Sequence, residues 1–116
     1  MIAIIDSGGA NIASVRFALE RLGVDSVLTA DPAVISAAER VILPGVGAAP
    51  VAMAQLARAG LVECIRGLTQ PVLGICLGMQ LLFERSEEGD TPLLGLVGGT
   101  CCLLYTSDAA DEGSSV

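Results

Sequence analysis

The chain contains no histidine and no lysine, and aromatic residues make up only 3% of its 116 positions. Without His there is no side chain of unperturbed pKa near neutrality to act as a general base. No Cys/His spacing suits a metal, and neither a P-loop nor a Gly-x-Gly-x-x-Gly signature occurs. The six basic residues are all Arg, scattered singly against 13 acids, for a net charge of −7. An acidic chain without basic clusters argues against nucleic acid or an anionic membrane as partner. No apolar run approaches the ~18 residues of a membrane span. The opening "MIAIIDSGG" lacks a charged n-region and reaches Asp6 early, so it does not read as a signal peptide. Cytoplasm is the expected compartment, where the four cysteines stay reduced rather than forming a disulfide framework.

What is present is aliphatic. Hydrophobic residues make up 53% of the chain. A single domain of this length buries roughly 65% of its unfolded surface, enough for a core of Ile, Val, Leu and Ala. Strand and helix signals alternate. Ile2–Ile5 is a continuous apolar run, the mark of a strand covered on both faces. Ile12, Val15, Leu19 and Leu22 then fall on one face of a helix, with Asn11 as its N-cap and Gly23 as its stop. A short strand follows at 26–30, then a helix over 32–39 opened by Asp31-Pro32. "RVILPG" is a third strand. Two helical segments, "PVAMAQLARAG" and "LVECIRGL", break at Gly60. "PVLGI" is a fourth strand, and Leu77 to Arg85 reads as the helix after it. This order predicts an α/β fold: an open, mostly parallel sheet with helices on both faces.

The stretch Gly74-Ile75-Cys76-Leu77-Gly78 has the form Gly-x-nucleophile-x-Gly. In a strand-to-helix elbow the nucleophile takes a strained backbone and the glycines admit close neighbours. The thiol then projects at the carboxyl end of a strand, where open α/β sheets bind ligands. It also lies at a helix N-terminus, whose dipole favours thiolate. The Leu77 amide is a candidate oxyanion donor. The plain alternative is a small buried cysteine in a sheet. The loop "LPGVGAAP", Leu43 to Pro50, opens on the same rim and offers backbone N–H groups for a second donor, or is an ordinary turn. Asp6-Ser7-Gly8-Gly9 reads as a turn on that rim. Cys64, at helical spacing with Leu61 and Leu68, reads as core.

Residues 101–116 break the pattern. "CLLYTSDAADE", Cys102 to Glu112, can be written as an in-frame translation of the transposase adapter used for sequencing libraries. It is set aside as a non-native tail, with a natural polar tail as the alternative. Without it ten acids face six Arg, a net charge of −4.

"IAIIDSGGANIASV", "VILPGVGAAPVAM" and "QPVLGICLGMQLLFERSEE" together resemble the class I glutamine amidotransferase family. Within it they are most similar to the glutaminases that serve as a subunit of imidazole glycerol phosphate synthase in histidine biosynthesis. The likeness covers residues 1–100 and implies a flavodoxin-like fold. It implies Cys76 as nucleophile on the side-chain carboxamide of glutamine, with Val46, Gly47 and Leu77 forming the oxyanion hole. Gln80 matches a substrate-contacting position. No cofactor or metal is implied. The implied partner is the cyclase subunit, a (β/α)₈ barrel that takes the ammonia within a heterodimer. The family's catalytic His and its orienting Glu lie in a second half of the domain. The chain is therefore read as an N-terminal half, expected to be inactive alone. Two other readings stay open: a low-pKa thiol acting as a redox sensor, and a non-catalytic interaction domain.

Overall fold

The computed structural model describes residues 1–8 and 12–102. Four strands, β1 (Ile2–Ile5), β2 (Ser26–Thr29), β3 (Arg40–Gly45) and β4 (Val72–Cys76), form one sheet in the order β2-β1-β3-β4. Every pairing in it is parallel. Parallel neighbours need crossovers, and helices supply them. They are α1 (Ala13–Arg21), α2 (Pro32–Ala37), α3 (Ala49–Arg58) and α4 (Val62–Arg66), with α5 (Leu77–Leu81) leaving the last strand.

The continuous apolar strands make two cores. Ala3, Ile5, Val41 and Leu43 face a large cluster with Ile35, Leu56, Leu61, Ile65 and Leu81. Ile4 and Ile42 face Leu19 on the other side, with Val15 and Leu28 packed against them. So α1 covers one face and α2 to α5 the other, as the alternation predicts. The α1 face is less fully covered: Leu73, on the edge strand β4, is 58% exposed. It lines an apolar groove of about 220 Å³ with Ile2, Leu19 and Ile42.

Local signals set the helix ends. The Asp31 carboxylate accepts from the Ala33 amide at 2.9 Å, with Pro32 in the first turn of α2. Gly23 follows α1 at φ 72°. Its amide donates to the Glu20 carbonyl and that of Val24 to Leu19, a Schellman ending. Gly60 closes α3 in the same way, through Leu61 to Leu56. The N-cap position of α1 is Ile12, which makes no side-chain cap. Asn11, the expected cap, lies outside the described residues, as does Gly9.

The helix expected over Leu77 to Arg85 stops at Leu81. Its last amides tighten to i→i+3 bonds, Leu82 to Met79 and Phe83 to Gln80. The carbonyls of Leu81 to Glu84 then accept from the returning segment, from Leu94, Leu96, Gly95 and Leu93 at 2.8–2.9 Å. Tertiary bonds thus replace the next helical turn. Arg85 begins a small sheet not foreseen from periodicity, since strands of two residues carry none. In it β5 (Arg85–Ser86) pairs antiparallel with β6 (Thr91–Pro92) and parallel with β7 (Thr100–Cys101). Cys101, assigned to the tail on sequence grounds, packs against the main core, and the Glu87 amide donates to its carbonyl at 2.9 Å. The rest of the adapter-like string, from residue 103, lies outside the described residues.

Candidate functional site

The carboxyl ends of β3 and β4 build the site. Their register pairs Leu43 with Gly74, Pro44 with Ile75 and Gly45 with Cys76. Cys76 is the last residue of β4 and the N-cap of α5 at once. No loop separates strand from helix, so one residue makes the whole turn. Its backbone takes φ 55° and ψ −123°, outside the regions that L-residues ordinarily occupy. The turn is sharp enough to lift Cys76 into solvent while Leu77 is 5% exposed.

The sharpness depends on glycine on both sides. A Cβ at Gly78 would collide with the backbone carbonyl of Leu43. One at Gly74 would meet Met79 Cα at 2.5 Å, and one at Gly45 would meet the Gly78 nitrogen at 2.8 Å. The first turn of α5 therefore rests directly on the backbones of β3 and β4. This close approach fixes where the Cys76 side chain starts.

Val46 and Gly47 leave β3 one and two residues after the partner of Cys76. Adjacent strands lie about 5 Å apart, so the loop starts beside the cysteine. Val46 is 55% exposed. Gly47 has φ 93° with no described residue near where a Cβ would stand, so among the described residues glycine here serves conformation and not packing. The paired glycines of this loop thus divide their work: Gly45 admits α5 and Gly47 turns the chain. Leu77 is the first residue of α5, where amides have no intrahelical acceptor. Gln80 lies one turn along, half-buried, its carbonyl accepting from Phe83 N–H and from Cys101 Sγ. Asp6 turns the neighbouring β1 loop by accepting from the Gly8 amide at 3.1 Å.

The other cysteines differ in kind. Cys64 is half-buried against the core, with only weak sulfur contacts at 3.8 Å to Ser36 and the Pro32 carbonyl. Burial pushes the Cys101 thiol up, with Cys102 adding to the shift. Among the described residues no group of His, Cys, Asp and Glu is disposed to hold a metal, and no helix is long and apolar enough to cross a membrane.

Sequence reasoning did not find Glu88, whose carboxylate reaches the start of α3 and accepts from the Ala49 amide at 2.8 Å. A contact spanning 39 residues leaves no periodic trace. Its one mark in the sequence is the Ser-Glu-Glu at 86–88.

Comparison with known proteins places the site in context. The family described as Glutamine amidotransferase class-I matches residues 3–99. Proteins named imidazole glycerol phosphate synthase subunit HisH are similar over 98 residues, 84% of this chain and 49% of their own length. Identity is 64% for that of Xanthomonas axonopodis pv. citri, 63% for Xanthomonas euvesicatoria pv. vesicatoria and 60% for Xylella fastidiosa strain Temecula1. The chain spans about half the length of the curated relatives it matches.

Proposed function

Because this chain belongs to the class I glutamine amidotransferase family, we propose that it carries the nucleophile half of the glutaminase of imidazole glycerol phosphate synthase. The observation that carries the proposal is the backbone of Cys76. A solvent-exposed cysteine at φ 55° between two sterically required glycines is costly to build and serves to present sulfur. The relatives' name supplies the enzyme.

Cys76 Sγ attacks the side-chain carboxamide carbon of glutamine. The carbonyl electrons move to oxygen, and that oxyanion is met by the Leu77 amide and by amides of the Val46–Gly47 loop. Gln80 contacts the bound substrate. Collapse breaks the C–N bond and ammonia leaves with an added proton. Water then hydrolyses the glutamyl thioester to glutamate. The ammonia passes to the cyclase subunit in a cytoplasmic heterodimer. The proton donor for ammonia and the base for water are normally one imidazole. These 116 residues contain no histidine, so within them the nucleophile stands without that acid–base group. Residues 1–100 form the N-terminal half of the family domain in this reading, and the adapter-like string is foreign to it.

The test joins residues 1–100 to the second half of the Xanthomonas relative and measures glutamine-dependent ammonia release with the cyclase present. The hybrid should turn over, and Cys76→Ala should abolish it. The 116-residue polypeptide with the same cyclase should be slower by on the order of 10⁶, the loss seen when the His of a nucleophile–His pair is removed. Equal rates for the two proteins would refute the assignment.

A further inference from the structure

The turn after the elbow helix is built more carefully than a connection requires. Ser86 and Thr91, 2% and 7% exposed, are the buried polar residues among those described. Both side chains are spent on one residue. Ser86 Oγ accepts from the Glu88 amide at 3.1 Å, and Thr91 Oγ1 donates to the Glu88 carbonyl at 2.8 Å. Both backbone groups of Glu88 are thereby fixed by side chains that cannot move into solvent. Gly89, at φ 66°, lies so close to Pro50 that a Cβ would stand 2.5 Å from the ring carbon Cγ. The turn and the start of α3 are in contact at two points, Glu88 with Ala49 and Gly89 with Pro50.

The other side of that contact has a matching deficiency. The N-cap of α3 is Ala48, extended at φ −96° and ψ 143°, with no side-chain oxygen to offer. Helices need an acceptor there, and Ser, Thr, Asp or Asn normally supplies it locally. Here Glu88 supplies it from 39 residues away, and its charge suits the positive end of a ten-residue helix. Ala48 directly follows the Gly47 turn, so the bond to Ala49 anchors the distal end of the Val46–Gly47 loop. The proximal end is anchored by the pairing of Gly45 with Cys76.

We infer that Glu88 is a positioning residue for the Val46–Gly47 loop, holding it in register with Cys76 by capping α3 from the turn that Ser86 and Thr91 lock. That the loop serves an oxyanion rests on the glutaminase reading; the anchoring itself does not.

Two measurements on the 116-residue chain separate these statements. The first is amide hydrogen exchange at Ala49, which donates to Glu88, in the native chain, Glu88→Ala and Glu88→Gln. Gln keeps an oxygen at the acceptor position and should rescue. Alanine should raise exchange at this amide about fivefold, the usual size of a lost cap, while Arg16 and Leu22 at α1 stay unchanged. Unaltered exchange in Glu88→Ala, or a Glu88→Gln chain no better than alanine, would overturn the inference. If Glu88→Ala does not fold, Glu88→Asp, one methylene too short, takes its place with the same expectation. The second measurement is the ratio of Cys76 labelling by a chloroketone analogue of glutamine to labelling by iodoacetamide. Glu88→Ala should lower this ratio several-fold and Glu88→Gln restore it. A native chain without any preference for the glutamine analogue would sink the glutaminase reading, while exchange would still decide the role of Glu88.

Discussion

The elbow at Cys76 and the loop at Val46–Gly47 meet on one rim of the sheet, yet they are held by opposite means. The elbow is fixed by volume. Three glycines bring backbone onto backbone, and there is no room at Gly45, Gly74 or Gly78 for a methyl group. The loop is fixed at its ends. Gly47 has no described residue within 4 Å of where a Cβ would stand, and the chain beyond it is tied at Ala49 by the Glu88 carboxylate. In the proposed chemistry a nucleophile has to start from one place, and steric exclusion gives that. The donor proposed for the loop has to point the right way, and two anchored ends with a glycine between them suit that while leaving the loop room to turn.

The largest effect should come from breaking the elbow. Gly78→Ala drives a methyl into the Leu43 carbonyl, a backbone atom that cannot swing aside. Inserting volume into a closed contact costs about 1–3 kcal/mol, and a clash with rigid backbone stands at the upper end. For a domain of this size that shifts the melting midpoint by more than about 10 °C, at roughly 4 °C or more per kcal/mol. A thermal melt within two or three degrees of the native chain would mean that α5 does not rest on β3 as described.

The same substitution in the loop should do less, for a different reason. Gly47→Ala meets no neighbour among the described residues, and its φ of 93° is what opposes it. The left-handed side costs an L-residue about 1–2 kcal/mol. Urea unfolding should show a loss in that range. A loss as large as that of Gly78→Ala would place hidden contacts around the loop and erase the contrast between the two regions.

This contrast also explains what could be read from the sequence. The four strands and the first four helices follow from apolar runs and helical spacing, and their bounds in the structure lie within a few residues of those expected. The elbow was legible because its constraint is local: Gly74, Cys76 and Gly78 sit in one pentapeptide. The Gly47 turn was legible for the same reason. The small sheet was not, because strands of two residues have no period, and the end of α5 is set by carbonyls that bond to residues 93–96. Glu88 was hidden because its partner is an alanine amide, and a backbone donor has no signature in sequence. Short-range necessity leaves a motif, whereas long-range anchoring leaves single unremarkable residues.

The smallest of the three effects tests the elbow from the other direction, by removing its strain. Cys76 sits at φ 55° and ψ −123°, where its Cβ is unfavourable and glycine is not. Such positions store about 1–3 kcal/mol. Cys76→Gly releases that energy and gives back about 0.5–1 kcal/mol through the greater freedom of the unfolded chain. The thiol is exposed, so little packing is lost with it. The net expectation is a gain in stability of about 1 kcal/mol. Cys76→Ala supplies the control, since it removes the sulfur but keeps the Cβ and with it the strain. It should match the native chain. Chemical denaturation of the three proteins isolates the backbone term as the difference between the glycine and alanine variants. If the glycine variant is no more stable than alanine, Cys76 carries no strain and its exposure is not evidence of a presented nucleophile. If it is more stable, the native chain retains a less favourable residue at the position that the proposed chemistry requires.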